Sequence, residues 1–172
     1  MSTRRRFQPA SFFCGLLYGR EGDAEAAIAR LERLAPAVDL GGGPFPFVSS
    51  AYYRDEMGEP LFRRFVSFAP KRPPEWLPVL KLAAMRLEAE MAESGRRRVN
   101  LDPGYLTAAS VIIATAKNHC HRIPLADGVY AQLELVFEKG RFHFLPWTYP
   151  DFKTQGYLDF FMRLRERHMK RD

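Results

Sequence analysis

Residues 12–18, FFCGLLY, place the strongest limit on how this chain can fold. Apolar side chains occupy odd and even positions alike, and successive side chains of a β-strand point to opposite faces of a sheet. A strand that is apolar on both faces is one that lies inside its sheet, with both faces covered. The segment therefore predicts a central, buried strand.

Two helices follow from apolar residues that recur at helical spacing. The first begins near Asp23, which can act as its N-cap. The second covers about residues 76–91, with Pro78 in its first turn, where a missing N–H is tolerated, and Gly95 as its C-cap.

Further strands are predicted between and after these helices, at residues 45–53, 61–68, 98–101 and 111–116. Asp102-Pro103-Gly104 is expected to form a sharp turn that ends the strand at 98–101, because Pro and Gly favour turns. A strand with alternating polar and apolar residues at 129–138 turns at Lys139-Gly140 into a partner strand at 141–147.

The order strand, helix, strand, strand, helix, strand is that of the split βαβ, or ferredoxin-like, fold. We therefore predict an α+β protein with a ferredoxin-like core, an added β-hairpin and a C-terminal helix. That last helix is placed on the core by Tyr157, Phe160, Phe161 and Leu164. Residues 1–172 are expected to form a single domain, with residues 1–10 as a disordered basic lead.

The net charge of +6 and the pI near 9.5 favour an anionic partner, either a small molecule or RNA. Solvated surface clusters explain the same charge equally well. No apolar run reaches membrane-spanning length, and Cys14 and Cys120 do not suggest a disulfide framework. We expect a cytoplasmic protein that does not associate with membranes.

Several common nucleotide and catalytic motifs are missing. The sequence has no GxxxxGK[ST] loop, which argues against P-loop GTPase or ATPase activity. GxGxxG and GxSxG are also absent, which argues against a Rossmann dinucleotide site and an α/β-hydrolase nucleophile.

The segment NHCHR is a candidate metal site. On a strand, His119 and His121 would point to one face and Cys120 to the other. Two imidazoles on one face can bind zinc with a third ligand from elsewhere in the chain. The alternative is a pair of histidines that hydrogen-bond to the backbone at a strand end.

Three short segments carry acids beside aromatic residues or turns. In NLDPGY, Asp102 is either a site residue at a strand end or an acid that bonds the amides of its own turn. In YYRDEMG and WTYPDF, Glu56 and Asp151 are candidate ligands or general bases, and Tyr53 and Tyr149 could stack or hydrogen-bond. Aromatic packing capped by a turn-forming acid is the alternative.

An RNA-binding interpretation rests on strand aromatics. FFCGLL and FRRFVSF resemble the two strand motifs with which RRM domains stack bases, with matches at Phe65, Val66 and Phe68. The glycines of the second motif are replaced by Phe62 and Arg64.

Taken in order, YYRDEMG, NLDPGYLT, HRI and WTYPDF resemble a bacterial and archaeal family of small proteins known only as a domain of unknown function. The resemblance covers nearly the whole chain, from FFCGLLY to the last helix. It implies no activity, but it implies that the family is characterised by motifs that contain Glu56, Asp102, His121, Arg122, Tyr149 and Asp151.

These observations predict an acid–base cleft that binds a phosphorylated or nucleotide-like ligand. Glu56, Asp102 and His121 are its candidate catalytic residues, and the ligand would contact Tyr53, Lys117, Arg122, Tyr149 and Asp151. Arg and Lys would hold phosphate oxygens, while the carboxylates would hold a divalent metal or act as a general base. The alternative is an RNA-binding or protein-interaction module without catalysis, so whether the protein is an enzyme stays open.

Overall fold

A computed structural model describes residues 6–35, 38–48 and 51–170 of the chain. The strands β1 to β8 are Ser11–Tyr18, Val38–Phe47, Leu61–Phe68, Val99–Leu106, Ser110–Thr115, Ile123–Pro124, Tyr130–Glu138 and Arg141–Phe144. The helices α1 to α4 are Glu21–Leu34, Ala51–Met57, Leu77–Met91 and Gln155–Met169. Short 3-10 helices cover Pro74–Trp76 and Pro150–Lys153.

All eight strands join one antiparallel sheet in the order β2-β3-β1-β4-β5-β7-β6, with β8 beside β6 on the outer side of β7. As its sequence predicts, β1 lies inside the sheet, between β3 and β4, and all of its residues are buried. The prediction of an α+β protein is confirmed.

Helices cover both faces of the sheet and produce two cores. On one face, α1 and α3 pack over β1 and β4, in a core that includes Phe12, Leu16, Leu31, Leu80 and Leu101. On the opposite face α4 packs over an aromatic cluster that includes Phe13, Phe65, Phe152, Phe160 and Phe161. Helix α4 covers only part of this face of the sheet. The polar residues described below lie on the same face, beyond the aromatic cluster.

The region before β3 differs from the prediction. The strand expected at residues 45–53 is two elements, because β2 ends at Phe47 and α2 begins at Ala51. The glycine-rich residues 41–43 are part of β2. Gly42 is needed there for close packing rather than for a turn, since a Cβ atom at this position would lie 2.7 Å from Cδ2 of Phe160 in α4.

The expected turn at Asp102-Pro103-Gly104 is also wrong, because β4 runs through all three residues. Gly104 lies so close to β5 and β1 that a Cβ atom would be 2.4 Å from the carbonyl oxygen of Ile112 and 2.5 Å from Cζ of Phe13. The chain turns later, where the hydroxyl of Thr107 accepts hydrogen bonds from the N–H groups of Ala109 and Ser110.

Strands β4 and β5 pair only over residues 104–106 of β4. Before residue 104, side chains of α3 rather than a neighbouring strand bind the backbone on this side of β4. Nζ of Lys81 donates to the carbonyl of Leu101 at 2.8 Å, and Glu88 accepts from its N–H at 2.5 Å. These side chains satisfy backbone groups that would otherwise be buried without partners. Asn100 and Asp102 lie in the same part of β4, which pairs with β1 but not with β5.

The hairpin turn has the expected backbone geometry, whereas two predicted helix caps are wrong. Lys139 and Gly140 have φ angles of 51° and 81°, as a two-residue hairpin turn requires. Asp23 lies in the first turn of α1 rather than at its N-cap, which is Arg20. Helix α3 ends at Met91 and its C-cap is Ala92, so Gly95 belongs to the turn that follows.

The N-terminal lead is only partly described. Residues 1–5 lie outside the described residues, and residues 6–9 are exposed and have no regular secondary structure. None of the helices in the described parts of the chain has the length and apolarity that crossing a membrane requires.

Candidate functional site

Polar side chains gather on the α4 face of the sheet, beyond the aromatic cluster. Alternation along β4 places Val99 and Leu101 in the core beneath α1 and α3, and Asn100 and Asp102 on the other face. The side chain of Asp102 is 27% exposed, and it lies where β4 has β1 on one side and no strand on the other. It bonds no turn amides, which removes one of the two interpretations of this residue.

Arg63 of β3 joins two of the acids predicted to belong to the site. Its Nη1 donates to Oδ2 of Asp102 at 2.8 Å, and its Nη2 lies 3.8 Å from Oδ2 of Asp151. Only 5% of the Arg63 side chain is exposed, and its Nε has no hydrogen-bond partner among the described residues. Arg63 is thus a buried cation whose charge both acids share.

A glycine makes this contact possible. Arg63 and Asp102 lie on strands that are separated by β1, where Gly15 pairs with Asp102 on one side and with Phe65 on the other. A Cβ atom on Gly15 would lie 3.3 Å from Nη1 of Arg63 and 3.0 Å from Cε1 of Phe65. Because Gly15 has no side chain, the guanidinium can cross over β1.

Arg63 affects its two acids unequally. Burial opposes ionisation of Asp102, but the positive charges of Arg63 and Lys81 outweigh it and hold the pKa of Asp102 below its ordinary value. Burial raises the pKa of Asp151, because the more distant Arg63 only partly offsets it. Neighbouring carboxyl groups with opposite shifts are typical of acid–base sites, although structural ion pairs produce shifts as well.

A chain of hydrogen bonds connects Asp102 with Glu56. Arg97 binds both carboxylate oxygens of Glu56, at 2.7 and 2.5 Å, and donates to Oδ1 of Asn100 at 2.8 Å. The amide of Asn100 then donates to Asp102 at 2.8 Å. The hydrogen bond from Arg97 lowers the pKa of Glu56, and the nearby charge of Lys117 acts in the same direction.

Tyr53 of α2 lies beside this chain. Its ring contacts Phe47 with 5.9 Å between ring centroids, and the guanidinium of Arg97 lies 6.0 Å from the Tyr53 ring centroid. Burial raises the pKa of the Tyr53 hydroxyl, and the negative charge of Asp102 adds to the effect. Helix α2 therefore brings Tyr53 and Glu56 to the same polar region.

A second network surrounds Arg122. Its Nε donates to Oε1 of Gln132, its Nη1 to the carbonyl of Lys117 and its Nη2 to the hydroxyl of Tyr149, each at 2.8 Å. The amide of Gln132 donates to Oε2 of Glu134 at 2.6 Å, and Oε1 of Glu134 accepts from the N–H of Tyr149 at 2.5 Å. Arg122 thus positions Tyr149 and the strand residue Gln132.

Gln132 and Glu134 are fully buried although they lie on the polar side of an alternating strand. Burial raises the pKa of Glu134 to about 7, even though hydrogen bonds from the N–H of Tyr149 and from Gln132 act against the shift. This carboxyl group can therefore exchange a proton near neutral pH. It is also electrostatically coupled to Asp151, whose negative charge raises the pKa of Glu134 further.

Charges from both networks act on Tyr149. Burial raises the pKa of its hydroxyl, and the charges of Asp102, Glu134 and Asp151 all contribute to the same direction. The structure thus brings Tyr53, Glu56, Asp102, Tyr149 and Asp151 into one region. Lys117 and Arg122 border it through the contacts given above. Their roles in binding or catalysis stay predictions.

Sequence reasoning missed the residues that connect this region, namely Arg63, Arg97, Asn100, Gln132 and Glu134. Arg63 had a signal, because a charged residue inside a largely apolar strand needs a partner when its side chain is buried. Arg97 had none, since it stands between two further arginines in the sequence. Gln132 and Glu134 had no local signal, since only the tertiary position of the WTYPD segment buries them.

An open cleft adjoins the Glu56–Arg97 pair. Its volume is about 260 Å³, and it is lined by the end of β1, the end of α2 and the segment after α3. Four arginines and three acids contribute to the lining: Arg20, Arg96, Arg97, Arg98, Asp23, Glu56 and Glu93. Arg97 pairs with Glu56, and Arg98 pairs with Asp23 and Glu93.

Two arginines of the cleft are not neutralised in this way. Within the described residues, neither Arg20 nor Arg96 has an ion-pair partner, and both are exposed. Arg20 is also the N-cap residue of α1, whose first turn has no side-chain cap. The cleft therefore has an excess of positive charge beside the positive end of a helix.

The histidines of NHCHR lie in a turn after β5 rather than on a strand, so the expected opposition between Cys120 and the histidines is wrong. In this turn one nitrogen or sulfur atom from each of His119, Cys120 and His121 lies within 4.8 Å of the others. Whether these residues bind a metal stays a prediction.

The strand aromatics do not form a base-stacking surface. Phe65 is 1% exposed and stacks against Phe160 of α4 with 4.9 Å between ring centroids. Val66 and Phe68 are buried in the other core, beneath α1 and α3. The RRM-type interpretation of these residues is therefore not supported.

Comparison with known proteins identifies the family. Residues 8–168 match the family described as a domain of unknown function (DUF4416), and the chain belongs to this family. The resemblance seen in the sequence is thereby confirmed, while the motifs that characterise the family stay a prediction. No curated protein and no solved structure matches the chain.

Proposed function

We propose that the protein binds a phosphorylated or nucleotide-like small molecule, with a phosphate group in the cleft lined by Arg20 and Arg96. The observation that carries the proposal is the presence of these two exposed, unpaired arginines in a cleft whose acids are already paired with Arg97 and Arg98. Arginine is well suited to phosphate because its planar guanidinium can form two parallel hydrogen bonds with it.

The surroundings of the two arginines support the same ligand chemistry. The first turn of α1 has no side-chain cap, and the positive end of the helix favours an anion, although Glu21 and Asp23 in this turn offset part of that charge. The volume of about 260 Å³ is slightly below the ~300–1,000 Å³ typical of drug-sized ligands. It suits a phosphate with a small attached group, whereas a larger ligand would extend along the surface.

The Glu56–Arg97 pair links this cleft to the buried carboxyl groups. A ligand whose phosphate lies beside Arg96 and Arg97 could extend towards Tyr53 and Asp102, which are the predicted contacts nearest to that pair. Asp102, whose pKa is lowered and whose side chain is partly exposed, could then serve as a base. The proposal itself concerns binding, and catalysis would be a further step.

The test is a thermal-shift screen with phosphate, pyrophosphate and nucleotides, each with and without Mg²⁺. A ligand that binds only the folded protein raises its melting temperature by mass action. We expect the strongest ligand to lose most of its effect in Arg20→Gln and Arg96→Gln, and to lose it in the wild type as salt is added.

Arg30→Gln is the matched control, because Arg30 is an exposed arginine of α1 that does not line the cleft. It should keep the full ligand response. A screen with no response, or an equal loss in all three variants, would refute the proposal. Salt-dependent binding of single-stranded RNA without any small-molecule response would favour the RNA-binding alternative instead.

We also propose a ferredoxin-like core within one domain of residues 1–172. It is supported by the strand order β2-β3-β1-β4, by the antiparallel pairing of these strands and by the position of α1 and α3 on the same face. A solved structure of any member of the family would test this assignment.

A further inference from the structure

We propose that His119, Cys120 and His121 form a binding site for a thiolate-preferring divalent metal such as Zn²⁺. The three residues are consecutive, and the turn after β5 brings one potential ligand atom from each within 4.8 Å of the others. A thiolate and two imidazoles are a typical ligand set for zinc. The site is separate from the phosphate cleft, since none of its three residues lines that cleft.

Hydrogen bonds identify the His121 nitrogen that is available to a metal. Nε of Arg122 can only donate, and it donates to Oε1 of Gln132 at 2.8 Å. Nε2 of His121 lies 3.2 Å from the same oxygen, so it must also be a donor. A neutral imidazole that is protonated at Nε2 has its lone pair on Nδ1, which is therefore the ligand atom.

Gln132 itself is fixed by a third contact. Its amide nitrogen donates to Oε2 of the buried Glu134 at 2.6 Å, which settles the orientation of the amide and directs Oε1 towards His121. Metal-binding histidines commonly donate their second ring N–H to a fixed acceptor of this kind.

Packing holds the His121 ring in place. It stacks on the indole of Trp147 with 5.0 Å between ring centroids and an angle of 7° between planes. The indole N–H of Trp147 in turn donates to the carbonyl of Leu133 at 2.8 Å. His121 is thus a rigid ligand on the body of the protein.

The other two ligands can adjust to a metal. His119 and Cys120 are exposed, and Sγ of Cys120 already lies 3.3 Å from Nδ1 of His119. With Zn–N distances of about 2.0 Å and Zn–S distances of about 2.3 Å, binding requires only a small closure of these exposed side chains. Three protein ligands would leave one coordination position open to water or to a further ligand.

The ligand atoms also disfavour Mg²⁺ and Ca²⁺. Mg²⁺ and Ca²⁺ prefer oxygen ligands, and this group offers none. Cys14, the second cysteine of the chain, cannot compete, because it is buried and burial raises the pKa of its thiol. Any metal–thiolate signal from the folded protein must therefore come from Cys120.

The test uses Co²⁺ as a spectroscopic probe in place of Zn²⁺, on tag-free, reduced protein. We expect one bound ion per chain, the visible bands of four-coordinate Co²⁺ and a near-ultraviolet thiolate-to-cobalt charge-transfer band. Cys120→Ser should abolish the charge-transfer band, and His119→Ala should weaken binding by at least about tenfold. Added Zn²⁺ should displace the cobalt and remove both signals.

His143→Ala is the control, because His143 lies on the hairpin outside the cluster and should not affect cobalt binding. Melting curves of the metal-free variants establish that they are folded, as expected for changes at the exposed His119 and Cys120. Absence of saturable binding would overturn the proposal. So would an unchanged charge-transfer band in Cys120→Ser, or an equal loss of affinity in His143→Ala.

Discussion

Arg63 acts on the charge state of two acids at the polar end of the sheet. Its side chain is nearly buried. Its guanidinium nitrogens lie 2.8 Å from Oδ2 of Asp102 and 3.8 Å from Oδ2 of Asp151. The nearer acid has a lowered pKa and the farther acid a raised one. A difference of one ångström in the distance to one cation is thus accompanied by opposite shifts in two similar carboxyl groups.

Glu134 should make stability depend on pH. Its folded-state pKa of about 7 lies above the ordinary 4.5, so between these values the folded protein holds a proton that the unfolded chain releases. The stabilisation is therefore complete below about pH 4.5 and is lost as the pH rises towards 7. Glu134→Gln cannot titrate and lacks this dependence.

We expect the free energy of unfolding of the wild type, relative to Glu134→Gln, to fall by about 3 kcal/mol between about pH 5 and pH 8. Urea unfolding at several pH values measures it. Glu138→Gln, at the exposed end of the same strand, is the control and should follow the wild type. A constant difference between wild type and Glu134→Gln across this range would show that Glu134 has its ordinary pKa.

Among the elements, the apolar pattern of a strand predicted its position more reliably than the turn-forming residues expected to end it. Strand β3 has the bounds that the sequence predicts, Leu61–Phe68. By contrast, Asp102-Pro103-Gly104 and the GGGP segment contain typical turn residues and nevertheless lie in strands. Gly42 and Gly104 are there because α4 and β5 approach too closely for a side chain, and such proximity has no local signal.

Gly15→Ala should disturb the contact that Arg63 of β3 makes with Asp102 of β4 across β1. The new methyl group would lie 3.0 Å from Phe65 and 3.3 Å from Arg63, so both side chains must move. We expect a loss of about 1–3 kcal/mol in the free energy of unfolding, as is typical of overpacked sites. Denaturant titration followed by circular dichroism measures it.

Gly41→Ala provides the comparison for this variant. Gly41 also lies in a strand, but no atom lies within 4 Å of the position that its Cβ would take. Its stability should change by no more than about 0.5 kcal/mol. Equal stabilities for the two variants would mean that Gly15 is not needed for Arg63 to cross β1.

For the whole molecule, the sequence identified many residues of the candidate region but not the residues whose hydrogen bonds and ion pairs hold them together. Glu56, Asp102 and Asp151 were selected because acids near strand ends and turns often form sites. The structure places them together through Arg63, Arg97 and Asn100, which pattern reasoning cannot supply because it does not give the distance between β3 and β4. Burial of Glu134 likewise depends on a segment that is distant in the fold.

The two cysteines should report on opening of the whole molecule. Cys120 is exposed, whereas Cys14 lies on the central strand and is fully buried. A thiol reagent should modify one thiol of the native protein at once and the second only at the rate at which the protein unfolds. Absorbance of the released reagent group follows both phases.

Cys120→Ser separates these phases, since it should remove the fast phase and leave the slow one. Added denaturant should accelerate only the slow phase. Two fast thiols in the native wild type would contradict the central, buried position of β1.

The edges of the sheet have a consequence for self-association. On one side β2 carries Pro44 and Pro46 together with register shifts, and on the other side the outer strands β6 and β8 have two and four residues, with Pro124 in β6. Proline offers no N–H to an incoming strand, and irregular or short edges pair poorly with other chains. Both edges of the sheet therefore resist edge-to-edge aggregation. The chain can expose polar strand ends without pairing its edge strands with those of another copy.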